Sequence, residues 1–269
     1  MRIMKAYKPP ADGFFIGNFE IKFYGLIMAV SMLLGVLLAC KLAKKKKIKS
    51  DDIFLLALIV LPCAVVGARL YYCLFYDYNY SFKELFNIRQ GGLALYGGVV
   101  GGVLGIIIFS LIKKNWRLIF ILFDVLAPCL ILGQVLGRWG NFFNQEAYGN
   151  LITSSKLKWF PFAVWIENEN AWFQATFFYE SLWNLIGFVM LLFIYKKQQH
   201  TGTTAAAYLV WYGLGRTWIE GLRSDSLYIG SSGIRVSQLL SMVLVIVGIV
   251  ILSINIVKSI KSKKGKING

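Results

Sequence analysis

Histidine is almost absent from this sequence. The chain of 269 residues contains one, His200, in the polar stretch KKQQHTG. A single imidazole in such surroundings argues against a histidine-based metal site and against a Ser-His-Asp triad. The four cysteines form no CxxC pair and lie in or beside apolar runs, so we interpret them as small packing residues.

Acidic residues are scarce as well, 13 against 29 lysines and arginines, which gives a formal net charge of +16. An excess of this size is one mark of nucleic-acid binding. Here, however, the lysines concentrate in short stretches between apolar runs, namely KLAKKKKIKS, KKNWR, KKQQH and KSIKSKKGKING. We therefore interpret the charge as a membrane-topology signal and as attraction to anionic lipid, and we expect no nucleic-acid partner.

Apolar sequence, by contrast, is abundant. Hydrophobic residues make up 57% of the chain, against about 45–50% in soluble domains. Seven runs are long enough to cross a lipid bilayer, for which about 17–25 apolar residues suffice. They cover approximately residues 22–40, 53–74, 94–112, 117–136, 174–195, 204–220 and 235–257. The sequence predicts an all-α polytopic membrane protein.

The lysine-rich stretches follow the first, third, fifth and seventh runs, so they all lie on one side of the membrane. Short lysine-rich loops stay cytoplasmic, which predicts an outside amino terminus and a cytoplasmic carboxyl terminus. The first run is too long for a signal-peptide core and its positive charges follow it, so we interpret it as a retained span. We expect one transmembrane domain over residues 1–269, with residues 140–173 as a small extracytoplasmic cap.

Polar residues cluster at the outer side. The segment GRWGNFFNQEAYG, residues 137–149, follows the fourth run, and GLGRTWIEGLRSD closes the sixth. Arg216, Glu220 and Arg223 in the second segment are spaced i, i+4 and i+7, which places them on one face of a helix. A third segment, RQGGLALYGGVVGGVLG, leads into the third run from the same side and carries Tyr96.

Arginines at these positions indicate an anion site. A single arginine at a span end is explained by snorkelling to lipid headgroups. A charged residue inside a span costs about 2.5–3.5 kcal/mol, however, and such residues usually mark a functional site. Arg69 and Arg138 add to Arg216, and Asn141 and Glu146 lie close to Arg138 in sequence. Because guanidinium groups bind phosphate oxygens in pairs, the pattern predicts a phospholipid-phosphate site facing outward.

Other interpretations fit the sequence less well. Gly97, Gly101 and Gly105 form GxxxG spacings, which indicate close helix approach; no strand precedes them and no GK[ST] follows, so they are not a nucleotide loop. A secondary transporter of an organic anion also uses intramembrane arginines, but transporters usually have repeated halves and broken helices. The transporter and a purely structural protein remain the alternatives.

The segment GRWGNFFNQEAYG resembles the signature of the prolipoprotein diacylglyceryl transferase family, G-R-x-G-N-F-x-N-x-E-x-x-G, and matches it at every fixed position. Similar segments lie along nearly the whole chain: FYG at 23–25, GARLYY at 67–72, GGLALYGG at 91–98, FFYES at 177–181 and YGLGRTWIEGLRSD at 212–225. The family consists of bacterial membrane enzymes with seven spans and an outside amino terminus, the topology predicted above.

The resemblance implies transfer of the sn-1,2-diacylglyceryl group from phosphatidylglycerol to the lipobox cysteine of a prolipoprotein signal peptide. This is the first step of bacterial lipoprotein maturation, in the plasma membrane and at its outer leaflet. The products are a thioether-linked lipid and glycerol phosphate, and the family uses no metal or organic cofactor. Because the substrate supplies the nucleophile, the enzyme needs no catalytic cysteine.

The resemblance also implies roles for particular residues. Arg138 grips the phosphate of phosphatidylglycerol and Arg216 assists the leaving group. The residues implied in donor binding are Arg138, Asn141, Glu146, Tyr24 and Gly149. Those implied in catalysis are Arg216, Glu220, Arg223 and Tyr96.

Two segments depart from the family pattern. YGG at 96–98 stands where the family often has His-Gly-Gly, and QAT at 174–176 stands where it often has His-Pro-Thr. A mechanism with an essential histidine base therefore does not fit this chain. We expect cationic neighbours, chiefly Arg216, to lower the pKa of the acceptor thiol, and Tyr96 to position the headgroup through its hydroxyl.

Overall fold

The computed structural model describes residues 12–75, 92–222 and 235–267. These residues form seven long helices and two short antiparallel hairpins, β1–β2 and β3–β4. The elements are, in order, β1 (Gly13–Ile16), β2 (Phe19–Lys22), α1 (Phe23–Lys45), α2 (Ser50–Phe75), α3 (Leu95–Ile112), α4 (Arg117–Asn144), β3 (Ala163–Ile166), β4 (Ala171–Gln174), α5 (Thr176–Lys197), α6 (Thr203–Glu220) and α7 (Val236–Ile267). The predicted helical membrane architecture is confirmed, and the hairpins are additions to it.

Six of the seven described helices are long and apolar enough to cross a membrane: α1, α2, α3, α4, α5 and α7. Helix α6 coincides with the predicted span 204–220 but is less apolar, because it begins with two threonines and carries Arg216 and Glu220 near its end. The seven predicted spans therefore correspond to seven described helices, six of which are long and apolar enough to cross a membrane. Helix α6, the one not counted among these six, carries Arg216 and Glu220 of the candidate site.

Residues 36–125 form one compact unit, in which α2 and α3 pack backbone against backbone. Glycines make this possible, because they remove the side chains that would separate the helices. A Cβ on Gly97 would lie 2.3 Å from the carbonyl oxygen of Gly67, and one on Gly101 would lie 2.1 Å from that of Cys63. The GxxxG spacing therefore serves helix packing.

Charged residues mark one end of this unit. Lys113, at the end of α3, pairs with Asp52, in the first turn of α2, at 2.5 Å. The stretch KKKKIKS ends where α2 begins. The lysine-rich stretches after α1 and after α3 therefore lie at the same end of the unit, as alternate loops of a membrane protein should.

The second compact unit comprises residues 1–35 and 126–269. Within its described part, α6 packs closely on α5 and on α7. A Cβ on Gly213 of α6 would lie 2.7 Å from the carbonyl oxygen of Ser241 on α7. The side-chain amide of Gln238 also donates to the carbonyl of Thr217 at 2.9 Å. Small residues and polar contacts thus hold α6 against its neighbours.

Between α4 and α5 the chain forms the β3–β4 hairpin, in which Ala163 pairs with Gln174. Apolar side chains of the hairpin pack on the adjoining ends of α4 and α5. The buried members of this cluster are Phe142, Val164, Ile166, Ala175 and Phe177. The hairpin is therefore anchored to the two helix ends that carry part of the candidate site.

Helix α4 runs to Asn144, eight residues beyond the predicted end of the fourth span, so much of GRWGNFFNQEAYG is helical. Glycine lowers helix stability by about 1 kcal/mol relative to alanine, so Gly137 and Gly140 do not favour this extension by themselves. Side chains of α1 occupy the space that the two glycines leave: Met28 lies beside Gly137 and Tyr24 beside Gly140. Packing therefore outweighs the low propensity. Helix α7 also extends past its predicted end, to Ile267.

Candidate active site

Glu180 lies at the centre of a buried group of charges. It occupies the second turn of α5, and its side chain is 6% exposed. Its Oε1 lies 2.5 Å from Nη2 of Arg138 on α4, and its Oε2 lies 3.6 Å from Nη1 of Arg216 on α6. One carboxylate thus faces two guanidinium groups from two other helices.

Glu220 completes this group, which we call the ionic cluster: Arg138, Glu180, Arg216 and Glu220. The Oε2 atom of Glu220 lies 2.8 Å from Nη2 of Arg216, one helical turn earlier on α6. Two positive and two negative charges therefore compensate one another in a largely buried place. Such pairing is needed because an unpaired buried charge is strongly destabilising.

Arg216 retains donor capacity within the cluster. Its Nη1 atom is buried and has no hydrogen-bond partner among the residues that the structure describes. The 3.6 Å separation from Glu180 is too long for a hydrogen bond. Since buried polar groups are nearly always hydrogen-bonded, this nitrogen is a donor whose acceptor the described residues do not supply.

A second polar group lies at the end of α4 and is more exposed; we call Asn141, Asn144 and Glu146 the amide cluster. Nδ2 of Asn141 donates to Oε1 of Glu146 at 2.7 Å, and Nδ2 of Asn144 reaches the same oxygen at 3.4 Å. The two clusters are joined by Arg138, whose Nη1 donates to Oδ1 of Asn141 at 3.3 Å. Arg138 thus contacts a buried carboxylate with one nitrogen and an amide with the other.

The turn after α4 explains why these side chains meet. Gln145 and Ala147 have positive φ angles, 51° and 56°. Left-handed residues commonly terminate helices and reverse the chain. The N–H of Glu146 donates to the carbonyl of Asn141 at 3.0 Å, which folds the chain back over the last helical turn. The spacing in the motif therefore brings its carboxylate to its two asparagines.

Tyr24 and Gly149, the remaining predicted donor-binding residues, lie in close packing contacts. The ring of Tyr24 covers Gly140, where a Cβ would lie 2.6 Å from it. Gly149 is buried, and its N–H donates to the carbonyl of Gln174 at 3.0 Å. A Cβ on Gly149 would lie 2.8 Å from side-chain atoms of Gln174 and Thr176. Gly140 and Gly149 of the motif thus permit close approach.

Tyr96 and Arg69 belong to the other compact unit. Tyr96 lies in the first turn of α3, with its ring 6.4 Å from that of Tyr71. Arg69 is buried, and its Nη1 donates to the carbonyl of Gly92 at 3.0 Å, so it holds the chain where α3 is about to begin. Gly92 has a φ of 68°, which glycine adopts without strain. Arg223 lies outside the described residues.

The sole histidine lies at the opposite end of α5 and α6 from the ionic cluster. His200 is in the connection between the two helices, and its carbonyl accepts from Oγ1 of Thr203 at 2.8 Å. From Glu180 to the end of α5 the helix rises by about 25 Å, at about 1.5 Å per residue. The imidazole is therefore remote from both clusters.

Glu180 is the member of the ionic cluster that the sequence analysis did not single out, although it lies in the quoted segment FFYES. A signal was present, since Glu180 is the only acidic residue of α5. Ionisable residues within spans usually pair with one another and mark functional sites. What the sequence does not show is that the partners of Glu180 come from both α4 and α6.

Comparison with known proteins shows the family of this chain. A model of the family described as prolipoprotein diacylglyceryl transferase matches residues 13–254. The chain belongs to the prolipoprotein diacylglyceryl transferase family. That match includes every predicted site residue of this chain, among them Arg223.

Curated relatives in the prolipoprotein diacylglyceryl transferase family are similar over most of their length. A phosphatidylglycerol–prolipoprotein diacylglyceryl transferase of Clostridium botulinum strain Langeland is 43% identical over 254 residues, which is 92% of this chain and 97% of the relative. One from Clostridium perfringens strain 13 is 42% identical, covering 94% and 97%. One from Listeria innocua is 41% identical, covering 87% and 85%. The resemblance seen in the sequence is thereby confirmed.

Proposed function

We propose that this protein transfers the sn-1,2-diacylglyceryl group of phosphatidylglycerol to the lipobox cysteine thiol of prolipoprotein signal peptides. The observation that carries the proposal is the pairing of Arg138 and Arg216 through Glu180, with Nη1 of Arg216 buried and without a hydrogen-bond partner in the described part of the chain. The phosphate of the lipid supplies an acceptor of the right charge. The names of the relatives, and the family match, support the same substrates.

The reaction places negative charge where the arginines lie. The acceptor sulfur attacks the carbon of the diacylglyceryl group that bears the phosphate, forming a carbon–sulfur bond while the bond between that carbon and the phosphate oxygen breaks. The bonding electrons leave with the phosphate oxygen, the thiol proton passes to water, and glycerol phosphate departs as the leaving group. Preorganised cations that face a developing charge are usually the largest catalytic contribution. Arg216 has that role here, and Glu180 and Glu220 hold its guanidinium in place.

Arg138 binds the phosphate of the donor, and the amide cluster holds Arg138 from its outer side through Asn141. Glu146 fixes Asn141 in turn, so the cluster shapes the donor pocket around a guanidinium of constant orientation. Tyr24 supports the same wall by covering Gly140. Gly149 allows close packing against Gln174 and Thr176. The family resemblance implies that Arg223 takes part in catalysis.

The acceptor thiol is activated electrostatically. A free thiol with a pKa of about 8.5 is only about 3% ionised at pH 7, a deficit of about 2 kcal/mol. Cationic neighbours lower the pKa of a thiol, and Arg216 is a buried cation whose Nη1 has no hydrogen-bond partner in the described part of the chain. Tyr96 positions the headgroup through its hydroxyl, at the position where the family often has histidine.

We further propose that the protein lies in the bacterial plasma membrane as a single transmembrane domain, with the amino terminus outside and the site facing the outer leaflet. Lysines end α1 and α5, and others follow α3 and occupy the last part of α7. These are alternate helix ends, and lysine-rich loops stay cytoplasmic. Residues 140–173, which include the end of α4 and most of the β3–β4 hairpin, form an extracytoplasmic cap.

The transferase proposal is tested with purified protein in vesicles that contain phosphatidylglycerol labelled in its acyl chains, together with a lipobox peptide. We expect label to move to the peptide, and a peptide with serine in place of the lipobox cysteine to receive none. Uptake of a labelled anion into sealed vesicles without transfer would support a transporter instead. The absence of both transfer and uptake would contradict the proposal.

The orientation is tested by labelling in intact cells. We expect a cysteine introduced at Ser154, in the cap, to react with an impermeant thiol reagent. A cysteine introduced at Lys46, in the connection between α1 and α2, is expected to react only after permeabilisation. The reverse pattern would place the site at the inner leaflet and contradict the proposed orientation.

A further inference from the structure

The sequence WxxxG occurs twice, once on each of two neighbouring helices. Helix α5 contains WNLIG, from Trp183 to Gly187, and α6 contains WYGLG, from Trp211 to Gly215. Neither tryptophan belongs to the ionic cluster or the amide cluster. Each lies within two turns of an ionic-cluster residue on its own helix.

The two tryptophans bind each other reciprocally. Their rings stack with centroids 4.3 Å apart and an angle of 17° between the planes. Nε1 of Trp183 donates to the carbonyl of Trp211 at 3.1 Å, and Nε1 of Trp211 donates to the carbonyl of Trp183 at 3.1 Å. Each residue is thus donor through its indole and acceptor through its backbone.

The glycines are what make both carbonyls accessible. In an α-helix the carbonyl of residue i accepts from the N–H of residue i+4, and the side chain of residue i+4 leans back over that turn. Glycine at i+4 leaves the second lone pair of the carbonyl open. A Cβ on Gly215 would lie 2.2 Å from Nε1 of Trp183, and one on Gly187 would lie 2.2 Å from Nε1 of Trp211.

This four-residue arrangement, which we call the tryptophan clasp, fixes α5 relative to α6 next to the ionic cluster. Trp183 is three residues after Glu180, a rise of about 4.5 Å, and Gly215 immediately precedes Arg216. The contact between Glu180 and Arg216 is the loosest of the ionic cluster, at 3.6 Å. A long ion pair does little to hold two helices in register, so another contact has to do it.

We propose that the tryptophan clasp positions Arg216 relative to Glu180, and that Trp183 and Trp211 are positioning residues for the transfer reaction. The inference rests on the proposed function, in which Arg216 stabilises the departing phosphate. Without the two hydrogen bonds from the indole N–H groups, α6 shifts or rotates relative to α5. The Nη1 atom of Arg216 is then displaced from the phosphate of the lipid. Binding of the lipid through Arg138, on α4, is left largely intact.

The test uses Trp183→Phe and Trp211→Phe in the full-length protein, reconstituted with phosphatidylglycerol and a lipobox peptide. Phenylalanine keeps an aromatic ring but removes the indole N–H. A matched control is Trp159→Phe in the cap, which removes an indole N–H that also donates to a backbone carbonyl, that of Lys156, at 3.0 Å. Folded yield and thermal stability are measured on every variant, and circular dichroism follows the coupled signal of the stacked indoles.

We expect both clasp variants to lose the coupled indole signal and to show kcat about tenfold lower, since displacements of about 1 Å have effects of this order or larger. KM for phosphatidylglycerol stays within about twofold, because ground-state binding is retained. The double variant should be no worse than the single variants, since either one opens the clasp. Trp159→Phe should behave as the unaltered protein.

Three outcomes are decisive against the inference. Equal kcat in the unaltered protein and both variants, with the indole signal lost, would show that the clasp does not position Arg216. A fall in activity no larger than the fall in folded protein would assign it a structural role only, and a selective rise in KM would place it in lipid binding. Absence of transfer by the unaltered protein contradicts the proposed function instead, so the two failures are distinguishable.

Discussion

The ionic cluster and the amide cluster meet at Arg138 but lie in different surroundings. In the ionic cluster the carboxylates of Glu180 and Glu220 are 6% and 3% exposed. In the amide cluster, Asn144 and Glu146 are exposed to solvent. Both groups hold a carboxylate with hydrogen-bond donors, so exposure is the main physical difference between them.

That difference determines what each cluster can do. Buried charges interact strongly because little water screens them, and removing one partner leaves the other unpaired. Exposed polar contacts are worth much less, since water replaces a lost partner. The ionic cluster is therefore suited to hold charge at a constant position opposite the substrate phosphate. The amide cluster is suited to hold Arg138 from its outer side, through contacts that are individually weaker.

The largest loss of transfer activity is expected for Glu180→Gln, which removes the negative charge between Arg138 and Arg216. Two guanidinium groups lose their shared counter-charge, and loss of one partner of a buried ion pair destabilises by about 3–5 kcal/mol. We expect transfer to fall at least about a hundredfold and the melting temperature in detergent to fall as well. Both are measured on purified protein with the labelled-lipid assay and by thermal denaturation.

A matched control for that variant is Glu169→Gln. Glu169 is an exposed carboxylate that accepts from the hydroxyl of Tyr148 at 3.1 Å, and it belongs to neither cluster. The same chemical change at an exposed position is expected to leave transfer and stability almost unaltered. Similar losses in both variants would mean that burial is not what distinguishes Glu180.

The next largest loss of transfer activity is expected at Arg138, the ionic-cluster residue that contacts Asn141 of the amide cluster. Arg138→Lys keeps the positive charge but removes the planar fork, so one nitrogen has to replace two that face Glu180 and Asn141. We expect transfer to fall about a hundredfold, as for loss of a transition-state donor. The control is Arg117→Lys, at the exposed start of the same helix. Near-normal transfer by a stably inserted Arg138→Lys protein would contradict a bidentate phosphate site.

Within the amide cluster, Asn141→Ala should matter more than Asn144→Ala. Asn141 contacts both Arg138 and Glu146, whereas the reach of Asn144 to Glu146 is 3.4 Å. A hydrogen bond to a charged group is worth about 1.5–3 kcal/mol, so Asn141→Ala is expected to lower kcat/KM about tenfold. For Asn144→Ala we expect less than about threefold, as for an exposed contact. The opposite ranking in steady-state kinetics would mean that Asn144 contacts the substrate directly.

Much of the fold follows from sequence because length and apolarity identify a span. Residues 94–112 were predicted for the third span, and α3 covers Leu95–Ile112. How far a helix continues beyond its span does not follow in this way, because packing there outweighs local preference. Helix α4 continues through Gly137 and Gly140 because Met28 and Tyr24 pack there, a long-range contact that no local pattern reveals.

The candidate site was predictable in part for the same reason. Arg138, Asn141 and Glu146 lie within one short motif, and the structure brings them together through a local turn. Glu180 was missed because its importance comes from residues on two other helices. A lone carboxylate in an apolar run was a visible signal, but its arginine partners depend on how α4, α5 and α6 pack.

The smallest change in transfer activity is expected for His200→Ala. The imidazole lies between α5 and α6, about 25 Å along α5 from Glu180, and an electrostatically activated thiol needs no histidine base. Transfer should therefore stay within about twofold of the unaltered protein at pH 7, measured at matched amounts of inserted protein. Tyr96→Phe is the informative partner, since it removes a hydroxyl proposed to position the headgroup and should lower transfer while His200→Ala does not. Loss of transfer in His200→Ala at normal protein levels would mean that the sole imidazole takes part in the chemistry, and activation by the ionic cluster alone would then be wrong.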